Sequence, residues 1–205
     1  MYTPKLLARY SIISDQVDAS ELGIIMTELE RLLIRGERRA IVELGCYIGT
    51  TSLFIERLRQ YYDHAGEFHV YDSFAGLPAK TTLDSSPAGL QFCEGELAVR
   101  KKDFIRQFKK AGLNLPVIHK AWFDDLTEHN IPPGIMFAFL DGDYYRSIAQ
   151  SLRLITPHLT PGAVIIVDDY ANEALPGVQR AVDEWLSLHP AAVTVAHSLA
   201  IIKLI

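Results

Sequence analysis

The chain has 205 residues, 49% of them hydrophobic and 22% charged, with ten prolines and thirteen glycines. That length buries a sizeable core in about one domain, and the composition excludes a disordered or fibrous chain. Twenty basic against twenty-five acidic residues leave a net charge of −5; the overall field repels nucleic acid and anionic membranes, and neither is expected as a partner.

Residues 1–37 read as an N-terminal helical segment. Within it, Ala19 to Arg35 sets Leu22, Ile25, Leu29, Leu32 and Leu33 on one helical stripe. AIVELG, residues 40–45, is a short apolar run closing on glycine, and a helical stripe follows at Phe54, Ile55, Leu58, Tyr61 and Tyr62. The same alternation recurs. Phe68–Asp72 precedes a helix around Phe104, Ile105, Phe108 and Ala111, and Pro116–Lys120 precedes a short helical piece at Asp124–Glu128. Ile135–Asp141 precedes a helix through Ile148, Leu152, Ile155 and Leu159; Ala163–Asp168 precedes one through Val178, Ala181, Val182, Trp185 and Leu186.

Five such units imply parallel strands joined by right-handed crossovers, with helices on both faces. The runs IMFAFL and AVIIV are apolar throughout, as strands covered on both sides must be. Ala192–His197 and Leu199–Leu204 leave no room for a crossover, so an antiparallel hairpin closes the sheet. The expectation is an α/β fold with seven strands in a single domain spanning residues 1–205. Between Phe74 and Glu96 no period persists; structureless loops beyond about 15 residues are usually functional, and residues 74–96 are expected to form a lid. No window has the apolar length of a secretory signal or membrane span. Two cysteines, Cys46 and Cys93, allow at most one disulfide, so reduced thiols in a cytoplasmic protein are expected.

Acidic residues gather at the carboxyl ends of the predicted strands: Glu43 on the first, Asp72 on the second, Asp141 and Asp143 on the fourth, Asp168 and Asp169 on the fifth. Open α/β sheets bind ligands at that edge. The first turn spaces its glycines as G-x-x-x-G, Gly45 to Gly49, not as the dinucleotide fingerprint G-x-G-x-x-G, which disfavours a nicotinamide enzyme. An acidic residue two before the first glycine suits a cationic or hydroxyl-rich ligand, such as the amino acid end of S-adenosylmethionine. Asp72 stands where nucleotide binders of this class hold ribose hydroxyls.

Neighbouring strand ends lie about 5 Å apart, so Asp141, Asp168 and Asp169 can converge. Three ionised carboxylates repel unless a proton or a cation intervenes. An all-oxygen set favours a hard divalent ion, Mg²⁺ first and Mn²⁺ or Ca²⁺ after it. The seven histidines show neither H-x-x-x-H nor a CxxC partner, and no G-x-S-x-G elbow is present; zinc and a covalent nucleophile are not indicated.

Taken together, VELGCYIGTTS, VYDSFAGLP, AWFDDL, FLDGDYYRS, LTPGAVIIVDDY and VQRAVDEW, spread over residues 41–186, resemble the macrocin O-methyltransferase-like enzymes. Those enzymes are S-adenosylmethionine-dependent and Mg-dependent, and they tailor bacterial natural products. The resemblance implies the Rossmann-like seven-stranded methyltransferase sheet. It implies that Glu43, Gly45 and Gly49 shape the methionine pocket with Thr50 and Ser73 beside them, that Asp72 holds the ribose, and that Trp122 and Phe123 flank the adenine. It further implies that Asp141, Asp168 and Asp169 ligate Mg²⁺ or Mn²⁺, that Asp141 also lies at the cofactor, and that Asp143 and Asp141 are the catalytic residues, Asp143 as the candidate general base. Three positions depart from the family pattern: Ala75 replaces an acidic residue, Ala121 a glycine and Arg146 a glutamate, the last bordering the acceptor side.

The implied reaction is methylation of a hydroxyl on a small sugar or phenolic intermediate. Two other readings stand beside it. In one, a metal-independent N-methyltransferase uses the same carboxylates to bind a cationic amine; in the other, a non-catalytic S-adenosylmethionine binder regulates a partner. A small-molecule acceptor is the expected partner, and a homo-oligomer is left open.

Overall fold

A computed structural model describes residues 1–204. Two helices lead in, α1 (Thr3–Arg9) and α2 (Ala19–Ile34), and then strands and helices alternate. They are β1 (Ala40–Leu44), α3 (Thr50–Tyr61), β2 (Phe68–Asp72), α4 (Lys101–Ala111), β3 (Val117–Lys120), β4 (Ile135–Leu140), α5 (Tyr145–Ile155), β5 (Leu159–Val167), α6 (Pro176–Leu188), β6 (Ala192–Ala196) and β7 (Leu199–Lys203). The strands form one sheet in the order β3-β2-β1-β4-β5-β7-β6. The first five run parallel, and β7 and β6 pair antiparallel. The expected strand count and the terminal hairpin are both present.

Period-two alternation places side chains on the two faces of the sheet. On one face Ile41, Phe137, Phe139, Val164 and Ile166 pack against Leu22, Ile25 and Leu29 of α2, Phe54 and Leu58 of α3, and Phe104 and Phe108 of α4. On the other, Val42, Leu44, Ala138, Leu140, Ile165 and Val167 pack against Ile148 and Leu152 of α5 and Val178, Val182 and Trp185 of α6. Asp18 starts α2 by accepting hydrogen bonds from the Ser20 and Glu21 amides, which satisfies two amides the helix itself leaves free. Buried Glu30 accepts from the Tyr2 and Thr3 amides and from the Tyr62 hydroxyl. That contact ties α1, a helix the apolar periodicity does not mark, to α2 and α3.

The structure corrects three boundaries. Leu159 does not extend the α5 stripe: the helix ends at Ile155, a 3₁₀ turn covers Thr156–His158, and Leu159 opens β5. Pro157 has no amide proton to continue the helix. Strand β5 therefore begins four residues before Ala163, and a register shift against β4 absorbs Thr160–Gly162, the kind of irregularity where a strand tolerates proline. The helical piece read at Asp124–Glu128 is two separate 3₁₀ turns, Phe123–Asp125 and Glu128–Asn130. Residues 74–96 hold two 3₁₀ turns, Thr82–Asp84 and Pro87–Gly89, and lie packed against the domain. The Leu77 and Gly95 amides reach the Glu96 and Leu77 carbonyls, and Ser86 Oγ donates to the Glu173 carbonyl.

Candidate active site

Strand β1 lies between β2 and β4, so the crossovers leaving β1 and β4 depart to opposite sides and open a crevice at their carboxyl ends. The ladder continues one residue past the strands. The Asp141 amide donates to the Leu44 carbonyl and the Asp168 amide to the Leu140 carbonyl, which delivers these carboxylates to the crevice. Gly45 turns the chain at the end of β1 with φ +90, and a Cβ there would sit 1.8 Å from the Asp141 carbonyl oxygen. Only glycine fits.

The cleft has a volume of about 470 Å³, within the range that holds a small organic ligand. Gly45, Cys46, Tyr47, Asp72 and Ser73 form one wall, and Trp122, Phe123, Asp124, Arg146 and Ser147 another. Leu77, Phe92 and Leu97, from the 74–96 segment and just after it, add apolar cover, and Asp141, Asp143 and Asp169 form the floor. Asp72 Oδ2 accepts from the Cys46 and Tyr47 amides at 2.9 and 3.0 Å, and Oδ1 accepts from Phe74 at 2.7 Å. A carboxylate offers about four acceptor directions, so one remains for a ligand. Tyr47 and Phe74, on either side of Asp72, have φ +46 and +54, strain of the kind that collects at binding sites.

Asp141, Asp143 and Asp169 each bring an oxygen to within 4.8 Å of the others. Asp143 and Asp169 both adopt the left-handed region, φ +60 and +57, which aspartate tolerates better than most residues. Burial, then mutual repulsion with Asp168 and the other carboxylates, pushes the Asp141 and Asp143 carboxyls well above the usual range. Asp168 is raised to about 8, first by burial and then by Asp169. Asp169 is raised by burial, opposed by a 2.7 Å hydrogen bond from Asn172 Nδ2. A set of oxygen donors held this close, with no basic side chain among them, suits a hard divalent cation.

Of the positions picked from sequence, Gly45, Asp72, Ser73, Trp122, Phe123, Asp141, Asp143 and Asp169 line this cleft. Four stand behind its wall. Glu43 is 1% exposed, accepts from Ser52 Oγ, and is pushed up to about 8 by burial. Gly49 backs onto the ring of Phe104 in α4, where a Cβ would come within 2.7 Å of it. Thr50 is buried at the start of α3. Asp168 is outside the 4.8 Å group; its Oδ1 accepts from the Asp169 amide at 2.9 Å and from Ser198 Oγ at 3.2 Å. The structure therefore groups Asp143, not Asp168, with Asp141 and Asp169.

Sequence reasoning missed Asn172, which orients Asp169, and Asp84. The latter is 1% exposed and accepts from the Tyr145 amide at 2.6 Å and from Thr81. A D-x-x-N spacing, Asp169 to Asn172, was the one local signal for the first; nothing local marks the second. Arg146 Nε pairs with Asp124 Oδ2 at 2.8 Å on the cleft rim.

A profile of the macrocin O-methyltransferase (TylF) family matches residues 20–197. The chain belongs to that family. As a methyltransferase it is 32% identical over 180 residues to a Streptomyces olivaceus enzyme, 8-demethyl-8-(2,3-dimethoxy-alpha-L-rhamnosyl)-tetracenomycin-C 4'-O-methyltransferase, covering 83% of this chain and 69% of that one. It is 28% identical over 170 residues to mycinamicin III 3''-O-methyltransferase of Micromonospora griseorubida, covering 78% of this chain and 65% of the relative. The fold superposes on the O-methyltransferase NovP with a TM-score of 0.77 at 22% identity, over 89% of this chain and 78% of that one. The methyltransferase family is S-adenosylmethionine-dependent, and its sheet is the one described above. No helix among the described residues is long and apolar enough to cross a membrane.

Proposed function

We propose that this chain transfers a methyl group from S-adenosylmethionine to a hydroxyl of a sugar carried by a small natural-product glycoside, assisted by Mg²⁺ or Mn²⁺. The observation that carries this reading is the convergence of Asp141, Asp143 and Asp169 on the floor of a cleft whose wall is the Gly45 turn. The sugar assignment draws on the names of the two relatives, a 4'-O-methyltransferase of a rhamnosyl-tetracenomycin and a 3''-O-methyltransferase of mycinamicin III.

When bound, the cofactor supplies a methyl on a positively charged sulfur, and the divalent ion supplies charge that lowers the pKa of an acceptor hydroxyl. The rest falls to the protein. Asp72 offers its remaining acceptor direction to a ribose hydroxyl, and Trp122 and Phe123 give the apolar surface an adenine requires. Asp141 and Asp169 would hold the ion, with Asp168 as the further ligand expected from the family and Asn172 fixing Asp169. Asp143 faces the same point and takes the hydroxyl proton as the general base. Leu77, Phe92 and Leu97 exclude water from the reacting atoms, and the 74–96 segment that carries two of them acts as the lid.

The cleft lining also speaks to the acceptor. It carries seven aspartates, Asp15, Asp72, Asp84, Asp124, Asp141, Asp143 and Asp169, against the single base Arg146, which Asp124 already pairs. An uncharged or amine-bearing glycoside suits that field better than an anionic one. Free Cys46 and Cys93 accord with a cytoplasmic protein. The deciding experiment is turnover of labelled S-adenosylmethionine against a panel of glycosides and phenols, with Mg²⁺ and with EDTA. Methylation of a sugar hydroxyl that EDTA abolishes is the expected result; metal-independent turnover, or methylation of phenols alone, overturns the reading.

A further inference from the structure

Ser198 lies in the tight turn between β6 and β7, distant in sequence from every residue of the cleft. Two contacts join it to the turn after β5. Its carbonyl accepts the Ala171 amide at 2.9 Å, and its hydroxyl lies 3.2 Å from Asp168 Oδ1. The same hydroxyl is 2.5 Å from Glu21 Oε1 in the first turn of α2. A serine hydroxyl has a single proton and two acceptor directions, so it bridges Glu21 and Asp168 while donating to one of them at a time.

The consequence runs through Asp168. The oxygen that Ser198 touches is also the one that accepts the Asp169 amide, at the residue that takes φ +57. Left-handed backbone at a residue with a side chain is strained and persists only where its surroundings hold it. The direction of Asp169 into the acidic cluster is thus set in a chain of contacts: Ser198 holds Asp168, Asp168 holds the Asp169 amide, and the Asp169 carboxylate meets Asp141 and Asp143.

We propose that Ser198 is a positioning residue of the acidic cluster beside Asn172, acting through Asp168 on the backbone of Asp169 and thereby tuning the affinity of the cluster for a divalent cation. This inference rests on the metal-assisted reading above. Outer partners that orient ligating carboxylates typically change metal affinity 10- to 100-fold when removed. The C-terminal hairpin would then be part of the catalytic apparatus and not only the edge of the sheet.

The test is titration of Mn²⁺ into the full chain with S-adenosylhomocysteine bound, with free Mn²⁺ followed by electron paramagnetic resonance. Ser198→Ala is expected to weaken Mn²⁺ binding about tenfold or more while S-adenosylhomocysteine affinity stays within about twofold of wild type. Ser198→Thr, which keeps the hydroxyl, is expected to restore Mn²⁺ affinity. Wild-type Mn²⁺ affinity in Ser198→Ala overturns the proposal, and so does an equal loss of both ligands, which marks a folding defect. A wild-type chain that binds S-adenosylhomocysteine but no Mn²⁺ or Mg²⁺ removes the metal reading itself, an outcome distinct from failure of the variant alone.

Discussion

The Gly45 α-carbon faces the Asp141 carbonyl so closely that a methyl group on it would lie 1.8 Å from that oxygen. The contact joins the ends of β1 and β4, the two strands between which the crevice opens, and brings the glycine turn against the backbone of a cluster residue. Gly45→Ala must push these strand ends apart and also take φ +90, a region costing about 1–3 kcal/mol for a residue with a side chain. We expect a lower melting temperature and a cofactor affinity reduced more than tenfold. Gly36→Ala is the control: it has φ +77 but nothing within 4 Å, so it carries backbone strain without the collision. Equal behaviour of the two variants in calorimetry and cofactor titration would count against the close-approach argument.

The carboxylates of the floor should separate by role. Asp169→Asn is expected to weaken Mg²⁺ binding and activity together. Asp143→Asn is expected to lower kcat by about 10²–10⁴, the usual range for a general base, with cofactor affinity little changed. Isothermal titration of Mg²⁺ beside steady-state rates distinguishes them. An Asp143→Asn enzyme with wild-type kcat would remove the proton-acceptor role.

Asp84 fastens the 74–96 segment to the start of α5, through the Tyr145 amide and Thr81. A Cβ on Gly177 would fall 2.1 Å from Asp84 Oδ1, so the carboxylate fills a closely fitted site against α6 as well. Asp84→Ala leaves the half-buried Tyr145 amide without its partner, a loss of about 1–3 kcal/mol. Limited proteolysis should then cut between residues 74 and 96 faster than in wild type, and KM for the cofactor should rise. Unchanged cleavage would mean that other contacts hold the segment.

Glu43 gives a pH signature. Burial, with a smaller push from Asp72, lifts its carboxyl from an ordinary 4.5 to about 8. The native state therefore keeps a proton that the unfolded chain releases above pH 4.5. Its stabilising contribution is full below that value and declines as pH rises toward about 8, at up to about 1.4 kcal/mol per pH unit. Glu43→Gln cannot ionise, so its stability should fall less steeply over the same window in denaturant titrations. Parallel profiles for the two proteins would show that Glu43 stays charged in the native state.

Much of the architecture was legible in the chain because its signals are local. Apolar stripes at helical spacing marked α2 through α6, the runs IMFAFL and AVIIV marked strands covered on both faces, and the near absence of a gap between Ala192–His197 and Leu199–Leu204 forced a hairpin. The acidic residues at strand tips were legible for the same reason, since a parallel sheet carries every strand end to one edge. What failed locally was where two signals compete: Leu159 has the helical spacing, but Pro157 ended the helix and the bulge beside β4 drew it into β5.

Sequence by itself thus determined the sheet, the edge on which the site lies and the residue types that supply its chemistry. Only the tertiary structure decided which carboxylates meet. Asp143 joins Asp141 and Asp169 because its backbone turns left-handed, while Asp168, one residue from Asp169, points to Ser198. Those choices depend on contacts across the fold, from Asp84 to Tyr145 and from Ser198 to Asp168. A pattern read along one segment cannot contain them, because each contact forms only once distant segments have packed together.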